Sequence, residues 1–130
     1  MNDFPIKIVI DTNVLFMAVY DRKGKARKVI DAAVDGKITL YAPDSVKKEI
    51  FQVLQRELQF TQDEIESNLN EIPIRWIKHE IYESFLDKTK IKHKSDKPIE
   101  AVALMLGCGI LSADMHFKER ININELLERV

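Results

Sequence analysis

The stretch IKIVIDTN, residues 6–13, decides the fold class. Its first five residues are aliphatic apart from one lysine, and they predict a strand, Ile6–Ile10, with buried faces. Asp11 ends this strand, and the apolar segment Asn13–Tyr20 (NVLFMAVY) that follows predicts a helix. A buried strand that runs directly into an apolar helix indicates an α/β architecture.

The rest of the chain continues the alternation of strands and helices. The further predicted strands are Ile38–Ala42, Ile72–Ile77, Gly109–Ser112 and Ile121–Asn124. The further predicted helices are Arg27–Val34, Pro43/Asp44 to Leu58, Thr61/Asp63 through Leu69, Glu80–Lys88, Asp96–Cys108, a helical turn after Asp114, and a closing helix to Val130. This order predicts a three-layer α/β/α sandwich with a central parallel sheet of four to five strands. We expect residues 1–130 to form one domain, since no linker or repeat interrupts them.

Composition excludes several classes of protein. The 130 residues hold 20 Lys+Arg and 21 Asp+Glu, so a net charge of −1 excludes a polycation that coats nucleic acid by charge alone. The single cysteine, Cys108, excludes an internal disulfide and a thiolate zinc site, and predicts a reducing, cytoplasmic location. The N-terminus lacks a signal-peptide pattern, and no apolar run is long enough to span a membrane, so no membrane association is expected.

Acidic residues lie where the predicted strands end. Asp11 follows the first strand and Asp114 follows the fourth, so both should project from the carboxyl edge of the sheet, where α/β proteins bind ligands. Asp96 begins the apolar helix that leads to the fourth strand, and Glu100 lies one turn further on the same face. Glu49 lies at the border of the apolar stripe of its helix, where it can face inward or toward solvent.

Each acid also has an ordinary structural interpretation. Asp11 and Asp96 can cap helices, Asp114 can belong to a turn, and Glu49 can be a solvated helix residue. Glu100 interrupts an apolar helix, and a buried carboxylate is costly unless it is paired or ligated. Several carboxylates at one edge repel each other unless a cation joins them, and oxygen ligands without a Cys or His cluster favour Mg²⁺ or Mn²⁺. Such a site fits phosphodiester hydrolysis. The histidines show no metal-binding spacing, although His116 lies close to Asp114.

Four segments resemble the motifs of the PIN domain family. Residues 8–13 (IVIDTN) are similar to its opening signature, an apolar strand that runs into Asp-Thr/Ser-Asn. Residues 96–103 (DKPIEAVA) resemble the third motif, and residues 110–117 (ILSADMHF) resemble the fourth, in which a strand ends in Thr/Ser-x-Asp. Residues 44–54 fit the weaker second motif. The resemblance runs from about Lys7 to Phe117 in the order of the family.

The resemblance implies a metal-dependent nuclease that acts on RNA. In the family pattern the acids surround one or two Mg²⁺ or Mn²⁺ ions; here they are Asp11, Glu49, Asp96 and Asp114. Thr12, Asn13 and Ser112 take the supporting positions, Glu100 is an additional candidate ligand, and Glu57 is an alternative to Glu49. Many small members are toxins of type II toxin–antitoxin pairs, which implies an antitoxin partner, and PIN-like domains often form homodimers. A scaffold that binds RNA or protein without cleavage is the alternative.

Two basic clusters flank the predicted acidic edge. The first cluster comprises Arg22, Lys23, Lys25, Arg27 and Lys28. The second cluster comprises Lys88, Lys90, Lys92, Lys94 and Lys97. Both are predicted to contact RNA phosphates, or else to be ordinary solvated charge. Tyr20 and Trp76 can stack on bases, although aromatic residues at such positions more often belong to the core.

Overall fold

A parallel sheet of five strands forms the centre of the protein. The computed structural model describes residues 4–130. The strands are β1 (Ile6–Ile10), β2 (Ile38–Pro43), β3 (Ile74–Ile77), β4 (Gly109–Leu111) and β5 (Arg120–Ile121). Their spatial order is β3-β2-β1-β4-β5, and every pairing is parallel. β1 is therefore central, with the chain order running outward from it in both directions.

Helices cover both faces of this sheet and confirm the predicted α/β/α fold. They are α1 (Thr12–Tyr20), α2 (Lys25–Val34), α3 (Asp44–Leu58), α4 (Gln62–Asn70), α5 (His79–Tyr82), α6 (Lys97–Leu106) and α7 (Ile123–Glu128), with 3₁₀ turns at Glu83–Lys88 and Lys94–Asp96. α1 packs against α2 and α3, while α6 packs against α5 and the Glu83–Lys88 turn. Within residues 4–130, no helix is long and apolar enough to cross a lipid bilayer.

The core is densest around β1. Ile8, Val9 and Ile10 are consecutive and all buried. Because successive side chains of a strand point to opposite faces, burial of three in a row means that both faces of β1 are covered. Residues 6–10 are thus mostly aliphatic because helices cover both faces of this strand.

The boundaries of several elements agree with the sequence predictions. β1 spans the predicted residues, and α3 runs from Asp44 to Leu58 as expected. Thr61 caps α4, with reciprocal bonds between Thr61 and Glu64, which is the capping box that the sequence indicates. Gly36, at φ 80°, follows α2 in the left-handed conformation that a helix end favours.

Other predicted elements are shorter in the structure. The strand predicted over Ile72–Ile77 begins at Ile74, since Pro73 has no N–H to donate to β2. The strand predicted over Ile121–Asn124 is only Arg120–Ile121, because the Asn122 side chain accepts a hydrogen bond from Glu125 N and starts α7 instead. The helix predicted over Asp96–Cys108 spans Lys97–Leu106 and ends at Gly107.

Two helix predictions are wrong in detail. The predicted helix Glu80–Lys88 is a short α5 followed by a 3₁₀ segment over Glu83–Lys88. The helical turn predicted after Asp114 is a series of hydrogen-bonded turns. There, Ser112 Oγ accepts from Asp114 N at 2.9 Å and Asp114 Oδ1 accepts from His116 N at 3.0 Å, so side-chain oxygens replace helical backbone acceptors.

Candidate functional site

The carboxyl ends of β1 and β4 bring Asp11 and Ser112 together. β1 and β4 are neighbours in the sheet, and Asp11 N donates to Leu111 O at 3.3 Å just beyond the paired residues. Ser112 Oγ donates to Asp11 Oδ2, while Asp11 Oδ1 accepts from Val14 N at 2.9 Å. Asp11 therefore caps α1 with one oxygen and holds Ser112 with the other, so capping and site formation coincide in one residue.

Asp11 is a buried acid whose ionisation is opposed by its surroundings. Asp11 is only 5% exposed to solvent. Burial raises the pKa of Asp11, and the hydrogen bonds from Ser112 and Val14 counter part of that rise. The charges of Asp96 and Asp114 raise the pKa further, which indicates that the three carboxylates lie close enough to repel each other. We call Asp11, Asp96 and Asp114 the acidic cluster.

Two members of the acidic cluster, Asp96 and Asp114, lie close to each other and to His116. A ligand atom from each of these three residues lies within 4.8 Å of the others. His116 Nδ1 is 2.8 Å from Asp114 Oδ1. Burial and then the charge of Asp114 raise the pKa of Asp96, while His93 and His116 lower it. Within residues 4–130, Asp96, Asp114 and His116 form the one group of three potential metal ligands that lie this close together. Asp11 is not a member of this group, but its charge interacts with those of Asp96 and Asp114.

A pair of imidazoles borders the cluster, and sequence reasoning gave it little weight. The His93 and His116 rings lie 5.1 Å apart, centroid to centroid. His93 comes from the segment before α6, and His116 from the turn after β4. The proximity of His116 to Asp114 along the chain was a visible signal, whereas the approach of His93 depends on how the two segments fold together.

Glu100 is buried and holds the segment that precedes α6. Its residue is 7% exposed, Oε1 accepts from Lys90 N at 2.9 Å, and Oε2 accepts from Ile91 N at 3.0 Å. Both carboxylate oxygens thus accept hydrogen bonds from backbone N–H groups. These bonds offset the free-energy cost of burying an acid on an apolar helix. Glu100 lies outside the group formed by Asp96, Asp114 and His116.

The remaining predicted site residues lie in three different environments. Glu49 is exposed on α3 and lies outside the group of potential metal ligands found in residues 4–130. Thr12 is buried at the start of α1, and its Oγ1 has no hydrogen-bond partner within the described part of the chain. Asn13 is exposed beside it. The structure therefore brings together Asp11, Asp96, Asp114 and Ser112, and leaves Glu49 apart from them.

Asp44 is an acid at the carboxyl end of β2 that has a structural partner on each oxygen. Its Oδ2 accepts from His79 N at 3.0 Å, and its Oδ1 accepts from Tyr82 Oη at 2.9 Å. Burial, and then the hydrogen bond to Asp44, raise the pKa of Tyr82 to about 12. Asp44 therefore ties α5 to the start of α3.

The two basic clusters differ in how far they are engaged within the protein. In the first, Arg22 and Arg27 both bond Glu71 Oε2, at 2.7 and 3.2 Å, and Lys25 Nζ bonds Asn124 Oδ1 at 2.6 Å. In the second, Lys92 and Lys94 are exposed and Lys97 is half-buried. Lys23, also in the first cluster, is exposed. Arg22 and Arg27 thus stabilise contacts between elements, whereas Lys92 and Lys94 are exposed to solvent.

The fold and the site together define a parallel α/β protein with an acidic cluster at the point where the strand order reverses. The family model for the PIN domain matches residues 7–111, and the chain belongs to the PIN domain family. This confirms the resemblance that the four sequence motifs carry.

A comparison with solved structures supports the same fold. The chain is similar to a chain in the crystal structure of VapBC2 from Rickettsia felis bound to a DNA fragment from their promoter. The TM-score is 0.62 at 15% sequence identity, and the match covers 90% of this chain and 98% of that one. No curated protein sequence matches the chain.

Proposed function

We propose that this protein is a Mg²⁺- or Mn²⁺-dependent endoribonuclease that hydrolyses RNA phosphodiester bonds at the acidic cluster. The observation that carries the proposal is that ligand atoms of Asp96, Asp114 and His116 lie within 4.8 Å of one another, beside the buried Asp11, whose pKa is raised by burial and further by the charges of Asp96 and Asp114. Membership of the PIN domain family supports the same reaction.

The residues present fit a divalent cation. Mutually repelling carboxylates are stabilised when a cation is placed between them, and carboxylate oxygens are the ligands that Mg²⁺ and Mn²⁺ prefer. Asp96 and Asp114 would hold the ion, and Asp11 would hold it directly or through a water molecule. The 2.8 Å between His116 Nδ1 and Asp114 Oδ1 is the distance of a hydrogen bond or ion pair. His116 is a further candidate ligand because its ring nitrogen lies within 4.8 Å of ligand atoms of Asp96 and Asp114, and an imidazole favours Mn²⁺ over Mg²⁺.

The protein's own groups organise the site for phosphodiester hydrolysis. A bound ion would neutralise phosphate charge and supply a nucleophilic water near neutral pH. Ser112 fixes one Asp11 oxygen, and Val14 N fixes the other, so the carboxylate keeps one orientation. The backbone bond from His116 N holds Asp114 in the same way.

The other predicted residues have supporting roles in this proposal, as positioning residues, as candidates for the site or as phosphate contacts. Glu100 positions residues 90 and 91, and through them the lysines next to Asp96, and its role as a metal ligand stays a prediction. Glu49 stays a candidate that substrate or a partner would have to bring into the site. Lys23, Lys92, Lys94 and Lys97 are proposed to contact RNA phosphates, together with Arg22 and Lys25 at the other flank.

The similarity to the solved VapBC2 complex supports a wider proposal about partners. That structure concerns a two-component assembly, VapBC2, bound to a fragment of its own promoter. We propose that this chain is the nuclease half of a comparable toxin–antitoxin pair, acting in the cytoplasm and able to form a homodimer.

Substitution of the acids tests the nuclease proposal. We expect Asp11→Asn and Asp114→Asn each to lower metal-dependent cleavage of a fluorogenic RNA by more than about 100-fold. The matched control is Asp87→Asn, an exposed acid outside the cluster, which should cleave at the wild-type rate. Cleavage should also stop in EDTA and return with Mn²⁺.

The same assay separates the enzyme from a binding scaffold. If the purified wild type binds RNA equally well in EDTA and in Mn²⁺ but cleaves none, the nuclease proposal fails and the scaffold is favoured. Unchanged cleavage in Asp11→Asn and Asp114→Asn would also overturn it, because the reaction would then not depend on the cluster.

A further inference from the structure

A cavity of about 210 Å³ adjoins the acidic cluster on the side of β5. Its polar lining comes from Ser112, Arg120, Asn122 and Asn124, and its apolar walls include Met17 and Ile123. Ser112 also donates to Asp11, so a residue of the cavity lining is hydrogen-bonded to the acidic cluster. The cavity therefore lies beside the acidic cluster.

Arg120 brings a positive charge to the cavity without an acidic partner. Its Nε donates to the carbonyl oxygen of Ser112 at 2.8 Å, which fixes the guanidinium at the end of β4. Arg120 is half-buried, and none of the ion pairs found in residues 4–130 involves it. A partly buried guanidinium without a counter-charge is unfavourable, and its flat array of donors matches phosphate oxygens.

Two asparagines add hydrogen-bond donors to the same cavity. Asn122 Oδ1 accepts from Glu125 N at 2.8 Å, and Asn124 Oδ1 accepts from Lys25 Nζ at 2.6 Å. A backbone N–H and an ammonium group can only donate, so these contacts fix which end of each amide is the oxygen. The Nδ2 group of each asparagine is then the donor left for a ligand. The side chains of this lining thus combine one positive charge with amide donors and no acid.

We propose that this cavity binds a phosphate of single-stranded RNA, on the nucleotide next to the one whose phosphodiester lies at the acidic cluster. The inference rests on the proposed function for the identity of the polymer, and on the Arg120 cavity for the site itself. Arg120 donates to the carbonyl oxygen of Ser112, and the Ser112 hydroxyl donates to Asp11. The phosphate site and the acidic cluster therefore meet at the carboxyl end of β4.

A second cavity continues the path beyond Arg120. It has a volume of about 370 Å³, shares Met17 and Ile123 with the first, and is also lined by Tyr20, Asp21 and Lys25. Tyr20 is 68% exposed, and its ring stacks on Phe16 at 5.8 Å, which leaves one face of the tyrosine ring to solvent. The following nucleotide can place its base on this face while Lys25 approaches its phosphate.

RNA binding without cleavage tests the site. The probe is a short fluorescein-labelled single-stranded RNA, followed by fluorescence anisotropy in EDTA. We expect Arg120→Gln to raise the Kd about tenfold and to reduce the slope of log K against log salt by about 0.7, the value for one phosphate contact in a single strand. The control is Arg56→Gln, which removes an exposed arginine of α3 that bonds only its neighbour Glu57, and should leave the Kd unchanged.

A second variant guards against loss of folding in Arg120→Gln. Asn124→Asp keeps the oxygen that Lys25 contacts and adds a negative charge to the cavity, so we expect a rise in Kd of at least about tenfold. Asn70→Asp is the control at an exposed position outside the cavity, and thermal melts check that all variants fold.

The outcomes distinguish this inference from the nuclease proposal. If Arg120→Gln and Asn124→Asp, both folded, bind the RNA as tightly as wild type, the phosphate site is overturned whether or not the protein cleaves. If they weaken binding but the wild type never cleaves, the site stands and the nuclease proposal fails. If inorganic phosphate binds in an Arg120-dependent way while RNA affinity is the same in all variants, the cavity takes free phosphate and the inference is wrong.

Discussion

Asp96 shows how one acid of the cluster acts against the stability of the metal-free protein. It begins α6, yet its side chain accepts no capping hydrogen bond, and burial and Asp114 raise its pKa. Ionisation of Asp96 is therefore less favourable in the folded chain than in the unfolded chain. The folded protein loses stability as the pH rises from about 4, the unfolded value, through the raised pKa.

Replacement of Asp96 by asparagine should reverse that penalty. In EDTA at pH 7, we expect Asp96→Asn to be more stable than wild type by about 0.5–1 kcal/mol, a modest figure because the residue is only half-buried. The difference should shrink as the pH falls through about 4 and vanish well below it, where both states of the wild type are protonated. Urea unfolding followed by circular dichroism measures it, with Asp87→Asn as the exposed control.

Addition of Mn²⁺ should invert the order of stability. A ligand that binds only the folded state stabilises it by mass action, so wild type should gain stability with Mn²⁺ concentration and Asp96→Asn should gain less. An equal gain in both proteins would contradict a role for Asp96 in holding the ion.

Single residues were the most predictable part of the site. Asp11, Asp96 and Asp114 stand at the ends of strands and helices, and such positions can be read from the alternation of elements alone. Arg120 could not be found in this way, because its importance depends on the turns between β4 and β5 that bring its Nε to Ser112. Arg22 and Glu71 bond across 49 residues of sequence, a contact that no local pattern indicates.

At the scale of elements, α6 carries a carboxylate that organises the segment before it. Glu100 binds the backbone of Lys90 and Ile91, and that segment continues into the lysines and into Asp96. Its position on a nearly all-apolar helix indicated that the carboxylate must be paired or ligated, but the sequence left open which of the two applies. Only the path of residues 89–93 over α6 decides that backbone N–H groups lie within reach.

Glu100→Gln is expected to loosen this segment. One glutamine oxygen can still accept a hydrogen bond, but the amide NH₂ would face the second N–H, at a cost of about 1–3 kcal/mol of unfolding free energy. Urea denaturation measures the loss, and hydrogen exchange at the Lys90 and Ile91 amides should accelerate. Glu80→Gln, at an exposed position of α5, is the control. Wild-type exchange at both amides in Glu100→Gln would contradict the proposed positioning role.

At the scale of the whole molecule, the near-zero net charge conceals an uneven distribution. The chain carries −1 overall, yet the acidic cluster lies at the carboxyl edge of the sheet, with exposed Lys92 and Lys94 in the segment that leads to Asp96. The arrangement of layers was predictable because alternating strands and helices permit few folds. The spatial strand order was not, because it depends on contacts among distant strands.

The salt dependence of RNA binding measures this uneven distribution. We expect the double variant Lys92→Gln/Lys94→Gln to reduce the slope of log K against log salt by about 0.7 for each lysine that contacts a phosphate. The control, Lys7→Gln/Lys37→Gln, makes the same charge change at the amino ends of β1 and β2, opposite the cluster. Anisotropy titrations at several salt concentrations give both slopes, and equal slopes would contradict an RNA path beside Asp96.

The bond between Ser112 and Asp11 also governs when the acidic cluster can assemble during synthesis. The two residues are 101 positions apart, and they meet only after β4 has paired with β1. Asp11 is translated early, but the acidic cluster cannot form until β4 and Asp114 have also been translated. Pairing of such distant segments is slow to nucleate compared with local helix formation. In the proposed ribonuclease, a site built in this way stays latent on the nascent chain, next to the messenger and ribosomal RNA that surround it.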